Sequence, residues 1–294
     1  MDAIQRDNQS DIWQINPQRA IHADRPLCIG ILNITPDSFA DGGELDSVQA
    51  AVDRAQAIVD EGGDGLDIGG ESTRPGASRV SVDEQINRVV PVIEAIRKAG
   101  IDLMISVDTT RAAVASQALD AGADAINDVS AGSEDNAMLG LAADRQCGIV
   151  LMHRVSAPDQ DQYSDQYQQR PIESGIVDHV IRELKARRDA AVDAGVNPAC
   201  IMLDPGLGFG KDVEQNLALI RETDQLCALG HPVLSALSRK SFVGRVSLHR
   251  DSEPKERLAG TLGLSVVHYW LVSDSSASTM WRLIAKPLML SGQP

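Results

Sequence analysis

Asp204 ends a run of three apolar residues, Ile201-Met202-Leu203, and Pro205-Gly206-Leu207-Gly208-Phe209-Gly210-Lys211 follows it. The apolar run reads as the buried end of a parallel strand. Pro205 removes a backbone donor and fixes φ, so the strand stops there. Gly206, Gly208 and Gly210 let the backbone turn and approach a ligand closely. A strand-end carboxylate, a glycine loop and a helix from about Asp212 are parts from which α/β folds build ligand sites. A lone Asp-Pro-Gly is explained as well by a tight turn that caps the next helix. Here the arrangement recurs. Ile31-Leu32-Asn33-Ile34-Thr35 opens into a polar loop over 36–43, and Leu66-Asp67-Ile68 into another over 69–76. Asp108-Thr109, Asn127-Asp128 and Ser238-Arg239-Lys240-Ser241 end three further runs. Taken singly, Asp108 and Asp128 could cap helices and Lys240 could be solvated. Together these groups line one polar mouth.

The elements that must position them alternate. Apolar runs cover 27–35, 65–70, 103–109, 125–130, 148–154, 201–206 and 232–238. Amphipathic helical stretches lie between several of them, at 47–61, 82–98 and 111–121, and Gly62, Gly100, Gly122 and Gly195 close helices. Seven βα units in 294 residues predict an α/β fold, a (β/α)8 TIM barrel with its active site at the strand C-termini. A doubly wound sheet is the alternative, but no G-x-G-x-x-G follows the first strand. The eighth strand and its helix are not legible. Residues 1–26 read as a polar leader, 27–294 as a single barrel domain, and 270–294 as atypical.

A net charge of −15 argues against a nucleic-acid surface or an anionic membrane as partner. If the substrate is anionic, its cationic partners must be local. Aromatic residues make up 3% of the chain, so the core is aliphatic. Cys28, Cys147, Cys200 and Cys227 form no CxxC pair and read as buried thiols in a reducing, cytoplasmic compartment. No histidine pattern matches a metal motif, no leader segment has an apolar core, and no apolar run would span a membrane.

Six segments in series carry a resemblance: 30–43 (GILNITPDSFADGG), 69–77 (GGESTRPGA), 106–109 (SVDT), 126–129 (INDV), 203–211 (LDPGLGFGK) and 238–244 (SRKSFVG). In order and spacing they resemble the dihydropteroate synthase family over roughly residues 27–265. The resemblance implies a barrel transferase of folate (tetrahydrofolate) biosynthesis. It would join 4-aminobenzoate to a dihydropterin methyl diphosphate and release diphosphate, with Mg2+ as cofactor.

By position in the family's motifs, Asp108, Asn127 and Asp204 would read the pterin edge, with Lys240 closing it and Thr73 in contact. Such an edge needs carboxylates to accept from ring N–H groups and an amide to pair donor with acceptor. Asn33 would hold magnesium against the diphosphate. Arg74 and Lys240 would act on the reacting groups, and Thr35, Pro36, Asp37 and Phe39 would close over them. The aminobenzoate site would comprise Thr35, Pro36, Phe39, Arg74, Phe209 and Ser241, its carboxylate meeting Ser241 at a helix N-terminus. An aromatic amine is already nucleophilic, so no general base is assigned. A homodimer fits the family's habit.

One departure is large. The family's eighth strand ends in Arg-Val-His-Asp-Val, whose Arg and His hold diphosphate. Here residues 270–281 read WLVSDSSASTMW, polar and serine-rich. Either a change of reading frame near Trp270 or a diverged tail would account for this, and the codons favour the first: Met280 and Trp281 have unique codons, and permitted codons for their neighbours let the shifted frame read Val-His-Asp-Val. Two other functions compete. One is a pterin-dependent methyltransferase barrel, disfavoured by the Ser-Thr-Arg-Pro-Gly and Ser-Arg-Lys-Ser stretches. The other is a pterin-binding barrel with weak or no catalysis, its diphosphate site lost.

Overall fold

The computed structural model describes residues 12–22, 25–34, 44–173, 175–273 and 282–285. Eight parallel strands form a closed barrel: β3 (Leu27–Asn33), β4 (Gly65–Gly69), β5 (Met104–Asp108), β6 (Ala125–Asp128), β7 (Gly148–Met152), β8 (Ile201–Asp204), β9 (Val233–Ser235) and β10 (Arg282–Ala285). All seven apolar runs contain strands, although β9 stops at Ser235, three residues before the polar stretch at 238–241. The eighth strand, not legible in sequence, lies at 282–285. It pairs with Leu27–Ile29 on one side and Val233–Ser235 on the other, so neither neighbour keeps an open edge there. The expectation that 270–281 lacks a strand falls partly on the end of a helix and partly, at 274–281, outside the described residues.

Helices α1 (Glu44–Asp60), α2 (Val82–Lys98), α3 (Ala112–Asp120), α4 (Met138–Arg145), α5 (Ile176–Asp193), α6 (Val213–Arg221), α7 (Thr223–Cys227), α8 (Ser241–Leu248) and α9 (Leu258–Ser273) follow or separate the strands. Local chemistry sets their ends. Ser81 accepts from Glu84 N at the start of α2, which carries Asp83 and Glu84 in its first turn and Arg97 and Lys98 in its last. Asp212 and Gln215 form a capping box on α6, so that helix starts directly after the glycine loop. Between sheet and helices lies an aliphatic core that includes Leu66, Ile68, Ile93, Ile96, Ile105 and Ile126.

Residues 1–26 read from sequence as a leader ahead of the barrel, but part of them belongs to its lower core. β1 (Ile12–Asn16) and β2 (Arg19–His22) form an antiparallel hairpin beneath the strand N-termini. Trp13 and Ile15 are fully buried with Leu27, Ile29, Met104, Ala125, Val150, Met202 and Leu234. Trp13 Nε1 donates to the Cys200 carbonyl at 2.8 Å. A Cβ on Gly148 would stand 2.9 Å from the Trp13 ring, so this strand begins with the residue that leaves room for the plug. Alternation along β1 was too short a signal to separate from the polar residues around it.

Candidate active site

The strand register gathers the site. Asn33 pairs with Gly69, Gly69 with Asp108, and Asp108 with Asn127, giving one row across β3 to β6. Gly69 supplies no side chain to that row. A Cβ there would lie 3.4 Å from both Asn33 Oδ1 and Asp108 Cβ, so glycine leaves the space between these polar groups open. On the far side Met152 pairs with Asp204.

An inner chamber of about 140 Å3 sits inside this ring. Asn33, Asp67, Thr73, Asp108, Asn127, Asp204, Phe209 and Lys240 line it, and Trp13 reaches its floor. Its chemistry is carboxylates in an apolar setting. Asp204 is buried and accepts from Gly206 N at 2.6 Å. Burial raises its pKa, opposed by Lys240, the Gly206 amide and Lys211. Asp108 is held well above the carboxylate range, first by burial and then by the charges of Asp67, Asp128 and Glu71. Burial pushes the Lys240 pKa down to about 8, against the pull of Asp204, Asp161 and Asp108. Its ammonium donates to the Leu207 carbonyl and stands 4.2 Å from the centroid of the Phe209 ring.

An outer chamber of about 440 Å3 opens above, sharing Ile31, Asn33, Thr73, Phe209 and Lys240 with the inner one. Arg54, Arg74, Arg239, Lys240 and Arg257 line it with no carboxylate among the described lining residues, and Ser241 sits there at the first turn of α8. In a chain of net charge −15 this is a local cationic vestibule.

Nine of the thirteen residues assigned by family position therefore converge: Asn33, Thr73, Arg74, Asp108, Asn127, Asp204, Phe209, Lys240 and Ser241 line one or both chambers. Thr35, Pro36 and Phe39, with Asp37, lie outside the described residues. Asp128, one residue past the row, turns away: it accepts from Ser130 N, Ser130 Oγ and Gly132 N and builds its own loop.

Three contributors escaped the sequence. Asp67 lies two residues before Gly69, inside the chamber; it accepts from Ser106 Oγ at 2.6 Å and Asn127 Nδ2 at 3.0 Å. Burial lifts its carboxyl to about 6, and these hydrogen bonds oppose the rise. An ionisable residue between Leu66 and Ile68 in a buried strand was a signal that could have found it. Arg54 on α1 and Arg257 before α9 reach the vestibule from helical positions with no strand-end signature.

Residues 29–270 match the family described as pterin binding enzyme. The match ends at residue 270, where the atypical stretch begins. A dihydropteroate synthase of Synechocystis sp. is 44% identical over 237 residues, 81% of this chain and 79% of the relative. The Xanthomonas albilineans dihydropteroate synthase with 4-aminobenzoic acid superposes with a TM-score of 0.79 at 38% identity, covering 93% of this chain and 92% of that one. The same enzyme in complex with 7,8-dihydropteroate gives 0.73 at 35% identity over 90% of each chain.

Proposed function

The chain belongs to the pterin-binding enzyme family, and from that membership we infer that it carries out the dihydropteroate synthase reaction of folate biosynthesis. It condenses 6-hydroxymethyl-7,8-dihydropterin diphosphate with 4-aminobenzoate to give 7,8-dihydropteroate and diphosphate. The observation that carries the reading is the pairing of a carboxylate-lined inner chamber with a cationic vestibule. The first suits a flat heterocycle rich in N–H donors, the second two anionic groups.

In this reading the pterin lies in the inner chamber. Asp204 and Asp108 accept from its ring nitrogens. Asn127, whose Oδ1 has no partner among the described residues, accepts one more donor. Lys240 closes the edge and Thr73 touches the ring's reacting side. The aminobenzoate ring packs beside Phe209, its carboxylate against Ser241 and the amide donors of α8. Arg74 faces the reacting centre. The amine nitrogen attacks the pterin methylene carbon, the carbon–oxygen bond to diphosphate breaks, and the amine then sheds a proton. Arginines of the vestibule stabilise the charge that builds on the leaving oxygens. Asn33 is exposed at the junction of the chambers. No group of three His, Cys, Asp or Glu ligands exists among the described residues; Asn33 would hold the ion against the diphosphate. Magnesium bound there supplies charge neutralisation of the diphosphate.

Two further parts of the proposal concern setting. The α9 face exposes Leu262, Val266 and Trp270 at four-residue intervals, which supports a homodimer. Cys147, Cys200 and Cys227 are buried, which supports a cytoplasmic, reducing compartment. No helix among the described residues is long and apolar enough to cross a membrane.

A second reading, a pterin-binding barrel with slow turnover, is favoured by one observation: the family match ends at residue 270, before the segment that holds diphosphate in this family. One assay decides. The purified chain, given both substrates and magnesium, is compared with a chain whose frame is restored from Trp270 onward. Dihydropteroate and diphosphate appearing together support the synthase reaction, and a faster restored chain supports the frame change. If neither chain makes product, the proposed reaction is wrong. Equal rates refute the claim about the tail.

A further inference from the structure

Lys211 closes the glycine loop, yet nothing in the reaction above uses it. Its side chain is fully buried. Its ammonium donates to three carbonyls: Gly206 O at 2.8 Å, Phe209 O at 2.9 Å and His153 O at 3.3 Å. The first two are in the loop after β8, and the third follows β7, so one cation ties two strand ends together. Gly206 is the joint. Its N–H donates to Asp204 Oδ1 while its carbonyl accepts from Lys211. A Cβ on Gly206, whose φ is +65°, would lie 1.8 Å from the His153 carbonyl oxygen and 3.3 Å from Lys211 Nζ. The loop is therefore drawn in too tightly for any other residue. From outside, Asp161 accepts from Gly210 N at 2.9 Å and holds the opposite end of the loop.

Resting on the pterin site proposed above, we propose that Lys211 is a positioning residue for pterin recognition, holding the Asp204 carboxylate through their shared neighbour Gly206. Lys211 does not line the inner chamber, so it acts through Asp204 and Phe209 rather than on the ligand. The same charge favours the ionised form of Asp204, the form that accepts from pterin N–H groups. The charged and titratable groups around this pair are Asp67 from β4, Asp108 from β5, His153 after β7, Asp161 from the following loop and Lys240 before α8. Burial brings the Lys211 pKa down to about 7, and Asp204 pulls it back up.

The test is pterin binding as a function of pH, by calorimetry, on wild type, Lys211→Met, Lys211→Arg and Asp204→Ala. Lys211→Met should weaken binding roughly tenfold near neutrality. Its acid limb, where Asp204 takes up a proton, should move up by about one pH unit. Lys211→Arg keeps the cation and should keep the limb at its wild-type position. A folded Lys211→Met with wild-type affinity and an unmoved limb overturns the proposal. If that variant does not fold, Lys211→Arg decides: a limb displaced despite the retained cation overturns it, and an unmoved one supports it. Asp204→Ala separates the two levels. If it binds pterin as wild type does, the site assignment fails; if it loses pterin while Lys211→Met does not, only the role of Lys211 fails.

Discussion

Asn127 donates from Nδ2 to Asp67 Oδ2 at 3.0 Å, and that bond leaves Asn127 Oδ1 buried and without a partner among the described residues. A carboxylate can only accept here, so it fixes which end of the amide is left for a ligand donor. Asp67→Leu removes the acceptor that orients Asn127. Pterin affinity should fall roughly tenfold while the aminobenzoate KM moves little, because that substrate meets a different chamber. Steady-state kinetics with each substrate varied checks the split.

Asp67 also makes stability depend on pH. Its folded pKa, about 6, lies above the ordinary 3.8 because of burial. The folded state therefore binds more protons between those values. Its contribution is complete below about pH 4 and disappears as pH rises through about 6. Urea unfolding of the ligand-free chain should lose on the order of 2 kcal/mol from this group between pH 4 and pH 7, and Asp67→Asn should lose less.

The polar loop that follows β4 is tied down at its end. Arg79 pairs with Glu134 and lies 3.6 Å from both Glu71 and Asp159, and Gly76 N donates to the Pro158 carbonyl at 2.8 Å. Burial works against it, yet hydrogen bonds from Arg79 and Thr110 hold the Glu134 carboxyl at about 2. Arg79 is partly exposed, so Arg79→Ala should cost no more than about 1 kcal/mol of stability. It should still raise hydrogen exchange over residues 72–78, measured by mass spectrometry.

The seven strands and the row Asn33, Asp108, Asn127 were legible because parallel strands buried on both faces are continuous apolar runs, and polar residues end β3, β5, β6 and β8. Helix α2 was legible to the residue, since Ser81, two acids and a basic last turn mark both ends. Trp13 was not, because its burial depends on Gly148 and Cys200, far away in sequence. Arg54 and Arg257 were hidden for the same reason: helix and loop positions face the vestibule only through tertiary packing. Strand β10 was missed because the serine-rich run ahead of it carries no strand pattern.

The hairpin's contribution is measurable. Trp13→Ala empties the floor of the barrel and should cost about 3–5 kcal/mol, read from chemical denaturation. Lys240→Ala should behave in the opposite way. It removes a half-buried cation from the chamber, lowering pterin affinity roughly tenfold with little change in melting temperature.

Pterin binding to Asp204→Ala bears most directly on the site. Calorimetry with dihydropterin diphosphate should show affinity lower by roughly 2–4 kcal/mol than wild type, since buried ring donors lose their charged acceptor. A folded Asp204→Ala that binds the ligand as tightly as wild type would contradict the placement of pterin in the inner chamber.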